Sequence, residues 1–392
     1  MGINWILIPI IFYLLFFIRS KSFLELIFIG SVLFLELIPG NIQLERGFPW
    51  HGAIDPAPVT IALYSLSMTL GLVFFLLGSR SKRRKSTTEN FGTAPPKKAH
   101  IGLASSIILA LVMAGVFFWY VDFRGGVANL LLPRGAIEEL TYVSSERFIT
   151  FFYVGFAATY ARFALQNRSP ILLVTAIVQL ILVAFPVALP RYVVLCAYIY
   201  AFSPLLLPRL SVLKVYGPPV SIAVVSLFSQ VRYGIVEWGE VSLSVLQNGD
   251  FGSAYFSLHV IERIGQLDIS YGWLLISSSV LSIVPRALLP SKHEGSGVLI
   301  SDDLGSGFSN IGVPPLAELV IDFGLLGIFV YWLVAFAWGR LRLNNEYMLV
   351  IICFTPILVR GALLSVVAPI IMFLLATFVF HTFFWPRFAK RD

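Results

Sequence analysis

Ten basic residues fall in or beside the segments predicted to lie across the membrane from the most basic stretch of the chain, and nine of them are arginine: Arg46, Arg124, Arg134, Arg147, Arg191, Arg232, Arg263, Arg286, Lys292 and Arg360. Arginine's planar fork matches two phosphate oxygens at once, whereas lysine offers a point charge. Several of these residues open or close apolar runs, as in Pro190-Arg191-Tyr192, Val231-Arg232, Pro285-Arg286 and Val359-Arg360. A charge at mid-bilayer costs ~2.5–3.5 kcal/mol on insertion scales, so it is seldom kept without a use. Snorkelling to the interface accounts for any single one, but the set points to an anionic ligand. Arg191, Arg232, Arg286, Lys292 and Arg360 are the candidate ligands, and a lipid pyrophosphate is an anion that resides in a membrane.

Two residues near this set could move a proton. Glu318 stands at the start of an apolar run, where it is either a base or sugar-hydroxyl acceptor or a carboxylate favoured by the helix dipole. His293 adjoins Lys292 and is either a proton acceptor or a solvent-exposed loop histidine. His51, His100, His259 and His381 have no partner spacing. Asp302-Asp303 is a bare acidic pair in a Gly/Ser-rich stretch, and no metal site is assigned to it. No CxxC, HExxH, GxSxG, P-loop, GxGxxG or DxD motif is present, so nucleotide or metal chemistry has no carrier in the sequence. Tyr233, Trp238 and Tyr255 are candidates for stacking on sugar rings, while most other aromatics read as membrane-belt residues.

The elements that must position these groups are membrane helices. Of the 392 residues, 58% are apolar and only 12% charged, about half the charge of a soluble domain. Apolar runs near 4–18, 22–38, 59–78, 101–120, 148–165, 170–189, 192–207, 215–231, 319–338, 346–360 and 364–384 predict eleven spans, as a hydrocarbon core of about 30 Å requires. Ile3 to Ile18 lacks the flanks of a cleaved signal and reads as a retained span. Gly272 to Val284 is 13 residues, short for a crossing, and reads as a re-entrant or interfacial helix. The fold class is therefore an all-α polytopic membrane protein of about 11–12 helices, forming one membrane domain over 1–392.

The stretch 79–100, SRSKRRKSTTENFGTAPPKKAH, orients the bundle. Its basic residues place it in the cytoplasm by the positive-inside rule. The turns at 19–21, 166–169, 208–214 and 339–345 and the tail from Pro386 then share that side. The segments 39–58, 121–147, 190–191 and 232–318 lie on the other. The last is a large outer loop of about 87 residues. The net charge of +7 is topological and implies no nucleic acid. Cys196 and Cys353 fall within spans and read as packing residues.

Four stretches carry a resemblance: GDF at 249–251, YG at 271–272, IVPRALLPSK at 283–292 and AELVIDFGLLG at 317–327. Together they resemble the Wzy-type O-antigen polymerases, which join oligosaccharide repeat units. Leu289, His293, Asp322 and Ala317 depart from that family's pattern. The resemblance implies a GT-C-type glycosyltransferase in the bacterial inner membrane with its site facing the periplasm. It would move the growing glycan from undecaprenyl pyrophosphate onto a new lipid-linked repeat. It implies no cofactor and no metal, since arginines balance the leaving diphosphate. Arg191, Arg286 and Lys292 match its basic positions; Arg232 and Arg360 join them from span-end placement. Its implied partners are undecaprenyl-pyrophosphate-linked oligosaccharide and membrane lipid, with room for a chain-length regulator. An O-antigen ligase and a lipid-linked oligosaccharide flippase are the alternatives.

Overall fold

The computed structural model describes residues 4–48, 55–81, 101–131, 144–185, 189–220, 252–266, 273, 296–304, 312–361 and 363–385. Among them every regular element is a helix. Six helices are long and apolar enough to cross a membrane: Phe23–Arg46, Pro58–Arg80, Leu103–Phe123, Phe148–Asn167, Tyr192–Val220 and Val366–Phe383. The protein is a multi-pass α-helical membrane protein. Three shorter apolar helices, Leu7–Arg19, Pro170–Val183 and Leu326–Gly339, join them.

In chain order the helices are α1 (Leu7–Arg19), α2 (Phe23–Arg46), α3 (Pro58–Arg80), α4 (Leu103–Phe123), α5 (Val127–Leu131), α6 (Ser144–Asn167), α7 (Pro170–Val183) and α8 (Arg191–Leu206). They continue with α9 (Ser253–Glu262), α10 (Ser296–Leu304), α11 (Pro315–Phe323), α12 (Leu326–Gly339), α13 (Glu346–Cys353), α14 (Thr355–Arg360) and α15 (Leu363–Phe383). Local chemistry starts several of them. Ser22 caps α2 by accepting from the Glu25 amide at 3.2 Å, and Glu25 accepts from the Lys21 amide at 3.0 Å, close to a capping box. Asn345 caps α13 by accepting from the Met348 amide at 2.8 Å. Proline in the first turn of α3, α7, α11 and α14 loses no intrahelical bond there.

Helix ends that the basic-residue pattern puts on one side do lie together. Gly78 of α3 meets Phe336 and Arg340 at the end of α12. Ser79 donates to Glu25 at 3.3 Å, and Ser169 donates to Ser106 at 3.1 Å. At the opposite end the Ala57 amide donates to Glu262 at 3.0 Å, and Gly40 abuts Ala254. We call these the basic end and the far end.

The structure departs from the predicted spans at three places. The stretch 208–214 is helical instead of a turn. A 3-10 turn at Leu207–Arg209 absorbs Pro208, and the helix begun at Arg191 runs on to Val220. Lys214 on this helix still reaches the basic end, donating to the Ile18 and Ser20 carbonyls at 3.1 and 2.5 Å. The predicted span 319–338 is broken: α11 ends at Gly324, whose φ of +61° is a conformation side-chain-bearing residues rarely adopt. Beyond the break, a methyl on Gly327 would lie 2.0 Å from the Leu319 carbonyl oxygen. The predicted span 346–360 divides into α13 and α14 at Phe354, two residues before Pro356.

The tightest helix pair is α3 with α12. A methyl built on Gly78 would come 2.2 Å from the Phe336 carbonyl oxygen, and one on Gly339 would come 2.1 Å from that of Phe75. Without a hydrophobic drive between helices in lipid, such backbone approach supplies the packing. A Gly78→Leu change is expected to force the two helices apart and cost at least the ~1–3 kcal/mol of ordinary overpacking. Thermal unfolding in detergent would read this as a lowered midpoint and a smaller monodisperse yield.

Candidate functional site

The far end is built from pieces too short to span. Helix α9 has ten residues, about 15 Å at 1.5 Å per residue, against a core of about 30 Å. Yet every residue from Ser253 to Ile261 is buried, because α9 is enclosed by α2, α3 and α11. His259 sits in this buried helix with its side chain only 1% exposed. Its Nε2 lies 2.7 Å from Oδ2 of Asp303 on α10. Arg263 Nη1 donates to the other carboxylate oxygen, Oδ1, at 2.6 Å, and Arg263 Nε donates to Gln266 at 3.0 Å. The His259 Nδ1 is buried and has no hydrogen-bond partner among the described residues.

The electrostatics set the proton's place. Burial raises the Asp303 carboxyl, but the hydrogen bonds from His259 and Arg263 outweigh it and hold the group below its usual value of 3.8. Asp303 is then ionised near neutral pH and accepts a proton-bearing Nε2 from His259. That tautomer leaves the Nδ1 lone pair open. A histidine held by a carboxylate on one nitrogen and unpartnered on the other can act as a general base toward a hydroxyl brought to it. The same pair has a structural duty, tying α9 to α10. Since the folded Asp303 value is depressed, this contribution is present above the unfolded value and is lost as pH falls through the folded one. The thermal midpoint of the purified protein is therefore expected to drop below about pH 3.8. Asp303→Asn is expected to lower the midpoint at neutral pH and to flatten that acid limb.

Glu318, unlike Asp303, is a buried acid. It lies in the first turn of α11, is 2% exposed, and accepts from Ser296 Oγ at 2.5 Å. Asp322, one turn further on, is buried as well. Ser296 and Asp303 occupy the two ends of α10, seven residues and about 10 Å apart. One short helix therefore bridges the Glu318 and His259 centres.

Arg360 ends α14, where a cation favours the helix dipole. Its guanidinium carbon is 4.1 Å from the centre of the Tyr192 ring, a cation–π contact. Gly312, just ahead of α11, passes closely enough that a methyl there would be 3.3 Å from the Arg360 carbonyl oxygen and 3.5 Å from Nη1. Arg360, Tyr192 and the approach to Glu318 thus meet at the far end. The Arg191 backbone opens α8 next to Tyr192, but its side chain lies outside the described residues. So do Arg232, Arg286, Lys292 and His293, and all of 272–284 but Trp273.

Two ionisable sites inside the bundle have no place in the sequence-derived set. Arg162 donates twice to Glu346, at 2.7 and 2.8 Å, and also bonds Ser203. Glu36 is buried within a π-helical stretch, Leu33–Leu37, and accepts from the Tyr64 hydroxyl at 3.1 Å. An acid interrupting the run FLEL was a visible signal for Glu36. His259 with Asp303 and Arg162 with Glu346 had none, since their partners are 44 and 184 residues away. Cys196 and Cys353 are buried free thiols. Among the described residues no three His, Cys, Asp or Glu groups converge as a metal site. No protein-family model, no curated protein and no solved structure matches the chain, so a functional reading stands on these groups themselves.

Proposed function

We propose that the protein is a polymerase of lipid-linked oligosaccharide repeat units, a glycosyltransferase of the bacterial inner membrane acting at the far end, in the periplasm. The observation that carries this reading is the His259–Asp303 pair at the end opposite the basic loop, in which His259 is buried and its Nδ1 has no partner among the described residues. In the proposed step His259 Nδ1 takes the proton of the acceptor hydroxyl on the new repeat. That oxygen bonds to the anomeric carbon of the growing glycan, with inversion. The bond from that carbon to undecaprenyl pyrophosphate breaks, and its electron pair leaves on the diphosphate. Arg360, with Arg191, Arg232, Arg286 and Lys292, balances the charge that develops there. Glu318 receives a sugar hydroxyl or holds α10 through Ser296. The base role expected of His293 passes in this scheme to His259.

A second reading has one observation in its favour. Glu36 in its π turn, and Arg162 with Glu346, are ionisable groups within spans, as a flippase for lipid-linked oligosaccharide would carry. Deleting the gene and resolving the surface glycan on a gel separates the two. A ladder that collapses to core plus one repeat is the expected result for a polymerase. Core alone would replace that reading with a ligase or a flippase.

A further inference from the structure

At the basic end a cavity of about 500 Å³ opens between α1, α2, α3 and the helix that carries Lys214. Arg19, Lys21, Arg80 and Lys214 line it, with Glu25 as the single acid. The Glu25 carboxylate is already engaged by the Lys21 amide and the Ser79 hydroxyl. Lys214 donates to the carbonyls of Ile18 and Ser20, which leaves one of an ammonium's three donors for a ligand. Snorkelling accounts for a cation at the end of one helix. It does not account for four cations from three parts of the chain brought round one cavity, where they repel each other. Such an arrangement is stabilised by a bound anion.

The rim says which kind. Leu15 and Ile18 on α1, Leu77 on α3, and Val212 and Val215 beside Lys214 are all exposed apolar side chains. On a membrane protein this is surface for acyl chains, and it reaches the cationic cavity at Ile18, which lines it. The stretch that follows in the sequence, 79–100, is the one that the positive-inside rule places in the cytoplasm. Basic pockets between helices on that side suit anionic lipid headgroups. We propose that this cavity binds the phosphate headgroup of an anionic phospholipid of the cytoplasmic leaflet, with its acyl chains against the apolar rim.

The test is native mass spectrometry of the full chain, purified in detergent and equilibrated with phosphatidylglycerol, with phosphatidylcholine, or with phosphatidylglycerol plus excess inorganic phosphate. The wild type is expected to retain phosphatidylglycerol, to retain little phosphatidylcholine, and to keep its lipid against inorganic phosphate. The double variant Arg19→Gln/Arg80→Gln is expected to bind phosphatidylglycerol roughly 25-fold more weakly, from about fivefold per basic residue near anionic lipid. The double variant Arg340→Gln/Arg342→Gln removes the same charge at the same end outside the cavity and is expected to bind as the wild type does. Gel filtration checks that both variants remain monodisperse. Equal retention of the two lipids would overturn the proposal, as would displacement by inorganic phosphate or equal losses in the two variants.

Discussion

Replacing His259 with glutamine is expected to stop chain extension and to leave the protein in the membrane at its normal level. Glutamine's amide nitrogen can keep the hydrogen bond that His259 Nε2 makes to Asp303 at 2.7 Å. What it removes is the lone pair at the buried Nδ1. One positioned general base contributes about 10²–10⁴-fold to rate, so the glycan ladder should shorten to one repeat even with ample enzyme. An immunoblot of the membranes supplies the level, and the ladder supplies the activity. A wild-type ladder from this variant would remove His259 from the chemistry and leave it only as a tie between α9 and α10. Full loss of the protein would assign it to folding.

The largest effect on stability is expected at Arg162. Its side chain is 7% exposed and that of Glu346 is 21% exposed, with two hydrogen bonds between them. Arg162→Ala leaves a carboxylate in the bundle without its cation, at a cost of about 3–5 kcal/mol. That is a large fraction of the stability of a folded protein, so little monodisperse protein should be recovered from membranes. Replacing both partners, as in Arg162→Met with Glu346→Leu, removes the stranded charge and is expected to restore most of the yield. Thermal unfolding of the recovered protein orders the three chains. A double variant no better than Arg162→Ala would show that Ser203 and the Tyr200 ring, 5.6 Å from the guanidinium, carry the contribution instead.

The membrane class was legible because it depends on sums over long windows, in which apolar runs and charge depletion accumulate. Which helix ends lie together was legible in part for the same reason. The loop at 79–100 predicted which ends share a face, and contacts such as Gly78 with Phe336 and Ser106 with Ser169 follow it. Helix breaks are local and were less legible. Proline at 208 and arginine at 209 read as a turn, yet a 3-10 turn carries the helix through. Gly324 lay inside the predicted span 319–338, and the structure uses its positive φ to end α11. The candidate site could be picked out in the sequence where a charge begins or ends an apolar run, as at Glu318 and Arg360. It was not legible where two ordinary residues meet only after folding. A histidine without local partners becomes a base candidate when α10 brings Asp303 to it.

The Arg162–Glu346 pair also sets a schedule for synthesis. Arg162 is made 184 residues before its partner, and ribosomes add about 5–20 residues per second, so the arginine waits roughly 10 to 40 seconds. During that interval Arg162, near the basic end of α6, is without the carboxylate that pairs with it in the folded protein. Helix α13 delivers the matching carboxylate only after most of the chain is complete. This join between α6 and α13 can therefore form only late in synthesis, after every earlier helix is in the membrane.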